Sequence, residues 1–154
     1  MAETKLKTTD VSIADDHDSF SIGLLILKVS RAVNYMYHQE LASSGITPPQ
    51  AGILWVLSRA EEVSQTEVVR ALMLDKANVS ALVRKLKSGG YMKVRQSSHD
   101  GRKSLLSLTP KGKEILKKID KIDKKISAEI EKDFPAAEMK KIRGFFGEIL
   151  GHYI

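Results

Sequence analysis

The sequence contains no cysteine. That excludes disulfide staples, thiolate zinc sites and regulation by thiol oxidation. Long apolar runs are also missing. Runs such as Leu24 to Leu27 and Ile53 to Leu57 fall far short of the roughly 20 residues a helix needs to cross a bilayer. No membrane partner is therefore expected. Residues 1–18 are polar and net acidic and lack the apolar centre of a secretory signal. A flexible arm and a cytoplasmic location are the corresponding expectations. Catalytic signatures are absent too. There is no Gly-x-Ser-x-Gly elbow, no Walker loop and no His-Glu-x-x-His helix, so an enzyme is not expected. Asp15, Asp16, His17 and Asp18 adjoin one another in the acidic arm, and adjacent side chains rarely aim at one ion. His38 and His152 have no partner at ligand spacing. Neither a metal nor a cofactor is expected.

What the chain does have is a concentrated positive charge. Its 154 residues carry a formal net charge of +6. Within 64–103 lie nine basic residues (Arg70, Lys76, Arg84, Lys85, Lys87, Lys93, Arg95, Arg102 and Lys103) and three acids (Glu67, Asp75 and Asp100). That segment alone is +6, and elsewhere the two signs cancel. A local cationic patch is what a surface meeting a polyanion requires. With 42% hydrophobic residues, the chain has enough apolar material for one folded domain.

Periodicity places the elements. From Phe20 to about Ser43, apolar residues recur at three- and four-residue steps, including Leu25, Val29, Val33, Met36 and Tyr37. Gly45 suits the position just past a helix. Thr47, Pro48 and Gln50 form a capping signal for a second helix that turns Ile53, Leu54, Val56 and Leu57 inward, with Trp55 beside them. Ser64-Gln65-Thr66-Glu67 is a second capping box and opens a short helix. Met73 and Leu74 make a turn. Asp75 caps a longer helix, 75–88, whose Val79, Leu82, Val83 and Leu86 form one apolar stripe. Gly89-Gly90 ends it. Two alternating stretches, 91–96 and 104–109, read as a β-hairpin around a polar loop. A helix beginning at Thr109-Pro110 carries a seam of Ile115, Leu116, Ile119, Ile122 and Ile126. Its Asp120 and Asp123 read as salt-bridged surface acids among lysines. After Pro135 comes a last amphipathic helix containing Phe145, Phe146, Ile149, Leu150 and Tyr153. The expected fold class is mainly α with a small β-hairpin wing, α+β.

Two helices joined by a tight turn, the second with a basic outer face, form a helix-turn-helix, and the hairpin forms a wing. The inward stripe leaves Lys76, Ala77, Asn78, Ser80, Ala81, Arg84, Lys85 and Lys87 pointing out. Asn78 suits adenine edges, while Ala77 and Ala81 permit close approach to thymine methyls. Lys76, Arg84, Lys85 and Lys87 read as phosphate contacts. In the wing, 96–103, Arg102 is placed to enter a minor groove, held by Asp100. Lys103 and Arg95 add charge, and His99 reads as exposed or close to a phosphate. Ser64, at a helix N-terminus, is expected to offer its N–H and hydroxyl to a phosphate.

These stretches resemble the MarR family of winged helix-turn-helix transcription regulators. The likeness rests on residues 72–92, on Asp100-Gly101-Arg102 and on Leu106-Ser107-Leu108-Thr109-Pro110-Lys111-Gly112, which matches the family's Leu-Thr-x-x-Gly pattern. Lys103 stands where many members have a second arginine. The resemblance implies a homodimer through interlocked N- and C-terminal helices (19–45 and 110–154) flanking a DNA-binding region (46–109). It also implies repression relieved by a small aromatic or lipophilic ligand. A ligand would lie among the first, second and fifth helices, where Met36, Tyr37, His38 and Trp55 are candidate walls, although ordinary core roles explain them too. The surplus of apolar residues on the terminal helices supports a dimer independently. Two modules in a two-fold dimer would read a pseudo-palindromic site on double-stranded DNA. The alternatives are an architectural DNA binder of low specificity and a protein-interaction module that has lost DNA binding.

Overall fold

A computed structural model describes residues 20–98, 100 and 103–153. The expected acidic arm, 1–18, and the wing residues His99 and Arg102 lie outside them. The chain divides into two compact units, Met1–Tyr35 and Met36–Ile154. The first contributes most of helix α1 (Ile22–Leu41), which begins after Ser21 and carries exposed Ile22, Leu24, Leu27 and Val29.

The second unit is built around one core. After a 3₁₀ turn, Gly45 adopts φ 68° and redirects the chain. Helix α2 (Pro48–Leu57) starts with proline in its first position, and the Thr47 N–H donates to Gln50 Oε1 at 2.8 Å. This helix has apolar residues on nearly every face because it is the central element. Ile53, Leu54, Val56 and Leu57 are all buried, and only Trp55 among these five emerges, 46% exposed. Strand β1 (Val63–Ser64) follows, then helices α3 (Gln65–Leu72) and α4 (Lys76–Ser88). The turn between the two helices passes through Met73 at φ 52°, an unusual conformation for a residue with a Cβ. On α4, Val79, Val83 and Leu86 are buried and Leu82 half-buried, as the apolar stripe requires.

Strands β2 (Met92–Gln96) and β3 (Ser104–Leu108) pair antiparallel, and β1 pairs with the other edge of β3, giving the order β1-β3-β2. The alternating segments therefore form the hairpin, and the sheet gains a third strand absent from the sequence reading. Val63, Leu106 and Val94 lie level across the core face, while Ser64, Leu105 and Arg95 lie level across the outer face. Leu106 is fully buried. Burial on that scale contributes about 1.5–3 kcal/mol per side chain.

Helix α5 (Pro110–Glu131) is capped by Thr109, whose hydroxyl accepts from the Gly112 N–H at 3.0 Å and donates to the Gly90 carbonyl at 2.6 Å. Gly112 has a packing reason. A Cβ there would sit 2.0 Å from the Tyr91 carbonyl oxygen, so α5 can dock against the start of β2 only without a side chain. Ile115, Ile119 and Ile126 face inward. Helix α6 (Ala136–Gly151) starts after Pro135 and buries none of its residues. No helix among the described residues is long and apolar enough to cross a membrane.

Candidate nucleic-acid interface

Local hydrogen bonds aim the helix-turn-helix. In α3, the Ser64 N–H donates to Glu67 Oε2 at 2.7 Å, the Ser64 hydroxyl donates to the same oxygen at 2.6 Å, and the Glu67 N–H returns a bond to Ser64 Oγ at 3.2 Å. These bonds, the hydroxyl's foremost, hold the Glu67 carboxyl below the usual carboxylate range. They also correct an expectation. Both Ser64 donors are committed to Glu67, so Ser64 has no free N–H or hydroxyl proton for a phosphate. At the start of α4, Asp75 accepts from the Asn78 N–H at 2.7 Å. That cap fixes where the second helix begins.

On the outer face of α4, Lys76, Ala77, Asn78, Arg84, Lys85 and Lys87 are exposed. Ser80 and Ala81 are half-buried where α3 crosses. The Ser80 hydroxyl donates to the Lys76 carbonyl at 2.8 Å and accepts from Gln65 Nε2 at 2.5 Å. Ser80 is therefore a clasp between the two helices, its one proton already used, rather than a free reader. Gln65, its partner on α3, carried no signal as a site residue in the sequence.

Ser64, Gln65, Thr66 and Val69 of β1 and α3, Lys76 and Ser80 of α4, and Lys103 and Ser104 of the wing line a cleft of about 480 Å³. Two lysines from separate elements and several hydroxyls converge there. Arg95 does not stand free beside it. Its Nε and Nη2 donate to the two carboxylate oxygens of Glu62 in a bidentate ion pair. The pair lowers the Glu62 pKa and raises that of Arg95, through the hydrogen bonds first and the mutual charge second. Glu62 lies two residues outside the basic segment, where Glu61-Glu62 reads in the sequence as loop solvation; its ion pair with Arg95 corrects that reading. In the wing loop, the Lys103 N–H donates to the Asp100 carbonyl at 2.9 Å, and the Lys103 ammonium approaches the Asp100 carboxylate at 4.0 Å.

The four candidate ligand-wall residues separate. Tyr37 and Trp55 line a small cavity of about 200 Å³ with Pro48, Ala51, Gly52, Ile119 and Asp123. Met36 and His38 are not part of that lining, and His38 is exposed. The Tyr37 hydroxyl donates to Asp123 Oδ1, joining α1 to α5 across 86 residues of sequence. Burial first, then this bond and the adjacent negative charge, push the Tyr37 phenol well above its ordinary pKa. Asp123 is thus tied to a tyrosine on one side of a cavity, not to a surface lysine as its helix position suggested. Arg59 stacks on the Trp55 ring, 4.1 Å from its centroid. No cluster of three metal-ligating side chains occurs among the described residues.

Residues 44–103 match the sequence profile of the MarR family. YdgJ of Bacillus subtilis (strain 168), described as an uncharacterized HTH-type transcriptional regulator, is 27% identical over 99 residues, which cover 64% of this chain and 60% of YdgJ. BadR of Rhodopseudomonas palustris (strain ATCC BAA-98 / CGA009), described as a transcriptional activatory protein, is 25% identical over 118 residues, covering 75% of this chain and 57% of BadR. The aligned segments therefore span only about three fifths of these relatives. Among solved structures, a mutant of E. coli MarR complexed with operator DNA has the same fold. It superposes with a TM-score of 0.76 at 22% identity, over 83% of this chain and 92% of that one. Residues 44–103 thus resemble the MarR family in sequence, and the chain shares the fold of the solved MarR structure.

Proposed function

We propose that this protein is a sequence-specific double-stranded DNA-binding transcription regulator acting as a homodimer. The observation that carries this reading is the cleft where α3, α4 and the wing meet with Lys76 and Lys103 in its walls. It continues into the exposed face of α4, where Ala77 and Asn78 are open and Arg84, Lys85 and Lys87 flank them. Small residues allow the helix into the major groove, Asn78 offers a donor and an acceptor to base edges, and the surrounding cations hold the phosphates. Arg102 is assigned to the minor groove from the sequence pattern. A dimer seated over a promoter blocks polymerase by occupancy alone, so repression is the proposed sign.

The test is competition binding of the DNA upstream of the protein's own gene against a scrambled duplex of equal length, read by fluorescence anisotropy at two salt concentrations. The expected preference for the native duplex is about a thousandfold or more. Equal affinity for both duplexes would favour an architectural binder of low specificity. Arg84→Ala and Arg102→Ala are each expected to weaken binding, and unimpaired binding by both variants would reject the assigned surface.

We further propose that an effector, where one acts, occupies the cavity between Tyr37, Trp55 and Asp123. At about 200 Å³ it suits a single aromatic ring with a short substituent, since an apolar cavity of about 150 Å³ accepts benzene. Its walls are almost wholly apolar and aromatic, with one carboxylate and one phenol as orienting groups. Release of labelled DNA on titration with single-ring compounds checks this reading, and retention of release in Trp55→Ala would argue against it.

A further inference from the structure

The Glu62–Arg95 ion pair spans the sheet rather than joining neighbours. Glu62 immediately precedes β1 and Arg95 lies on β2, with β3 running between them. Two strand spacings are about 9–10 Å, a gap that only long side chains close from both ends. The register puts Ser64, Leu105 and Arg95 level on the outer face. Ser64 is part of the lining of the cationic cleft, so the neutralised arginine sits on the surface assigned to DNA. The Arg95 side chain is 52% exposed even while paired. Water and a phosphate oxygen both have access to it.

We propose that Glu62 is an affinity-setting residue: it holds Arg95 in a strap across the wing sheet and withholds that positive charge from the DNA backbone. The carboxylate fills the Nε/Nη2 edge and offsets the positive charge, while Nη1 donates to the Gln96 carbonyl at 3.3 Å, so the bidentate edge a phosphate would use is already taken. The pair brings the effective charge of the interface below the sum of its lysines and arginines. Overall binding is weaker than the basic composition implies, which lets the protein leave non-specific DNA readily. Glu62 is the positioning residue here: it acts through Arg95, which the strap keeps from the DNA backbone. The inference rests on the proposed DNA-binding function.

The test uses the full chain, a mixed-sequence duplex and a salt titration, so no operator need be known. Glu62→Gln preserves shape and one acceptor while removing the competing charge. The expected result is tighter binding at low salt. The plot of log affinity against log salt should steepen by about 0.9 for each protomer on the duplex. The variant's advantage over wild type should then shrink by about 3.5-fold per protomer between about 50 and 200 mM salt. The double variant Glu62→Gln/Arg95→Gln should return to the wild-type slope, because both charges are gone together. A strap with a purely structural role predicts otherwise: Glu62→Gln would lower affinity through a loosened wing and leave the slope alone. An unchanged slope in Glu62→Gln, or a slope shallower by about 0.9 per protomer in the double variant, overturns the proposal. The second result would mean that Arg95 already touches a phosphate. Thermal melts of each variant report loss of folding separately. Absence of any salt-dependent binding by the wild type would instead remove the DNA-binding reading and this inference with it.

Discussion

Glu67 shows how a single side chain can have two uses, one visible in the sequence and one only in the structure. As the third residue of a capping box it secures the start of α3. By taking both Ser64 donors it also removes that helix end from the list of phosphate contacts. The linkage has a definite sign. Bonding from Ser64 depresses the Glu67 pKa in the folded state. The stability it contributes is present above the ordinary carboxylate range and is lost as pH falls through the folded value. Wild type is therefore expected to melt above Glu67→Gln at pH 7, with the gap narrowing under acid. Parallel melting curves at neutral and acidic pH would contradict this. The Ser64–Glu67 pairing was legible because its partners are three residues apart. Glu62–Arg95 and Tyr37–Asp123 were not, since 33 and 86 residues separate them and no local spacing joins such pairs. Asp123 in particular resembled its solvated neighbours until the fold brought a tyrosine to it.

Among the elements, those with strong periodicity matched their sequence signals, and the shortest did not. Thirteen residues of α4 carry an apolar stripe long enough to read, and five-residue strands show alternation. A two-residue strand such as β1 has no period at all, and only its pairing with Leu105 and Leu106 defines it. The turn between α3 and α4 is a further instance. Met73, 55% exposed, occupies a left-handed conformation, which costs a residue with a Cβ about 1–2 kcal/mol. Met73→Gly relieves that strain while giving up little packing, although glycine loses more entropy on folding. The expected net effect is a stability gain of up to about 1 kcal/mol, read as a raised urea midpoint at unchanged slope. A lowered midpoint would mean that the methionine side chain contributes more by contact than its conformation costs.

At the level of the molecule, the terminal elements carry apolar surface that their own units leave open. Helix α6 buries nothing, and its Phe145, Phe146 and Leu150 are each more than 40% exposed. The first unit shows the same surplus at Ile22, Leu24 and Leu27. The proposed homodimer covers these faces. Phe146→Lys and Leu150→Lys are each expected to weaken self-association by roughly ten- to a hundredfold, since a fully buried apolar side chain contributes about 1.5–3 kcal/mol. Sedimentation velocity at micromolar concentration checks this, and a concentration-independent monomer in the wild type would reject the dimer.

One feature of α2 gives the protein its own optical reporter. Trp55 is the sole tryptophan. It is half in solvent, carries the Arg59 guanidinium on its ring face and forms part of the Tyr37–Asp123 cavity wall. Its emission comes from one defined place and is sensitive to whatever displaces water or the arginine from the indole. Occupancy of the cavity would alter that emission without a label. The other eight aromatic residues, four phenylalanines and four tyrosines, do not absorb appreciably at the red edge where indole alone is excited. Events at the proposed DNA-facing surface and events at this cavity can therefore be followed in the same cuvette through separate signals, the first from a dye on the duplex and the second from the protein itself.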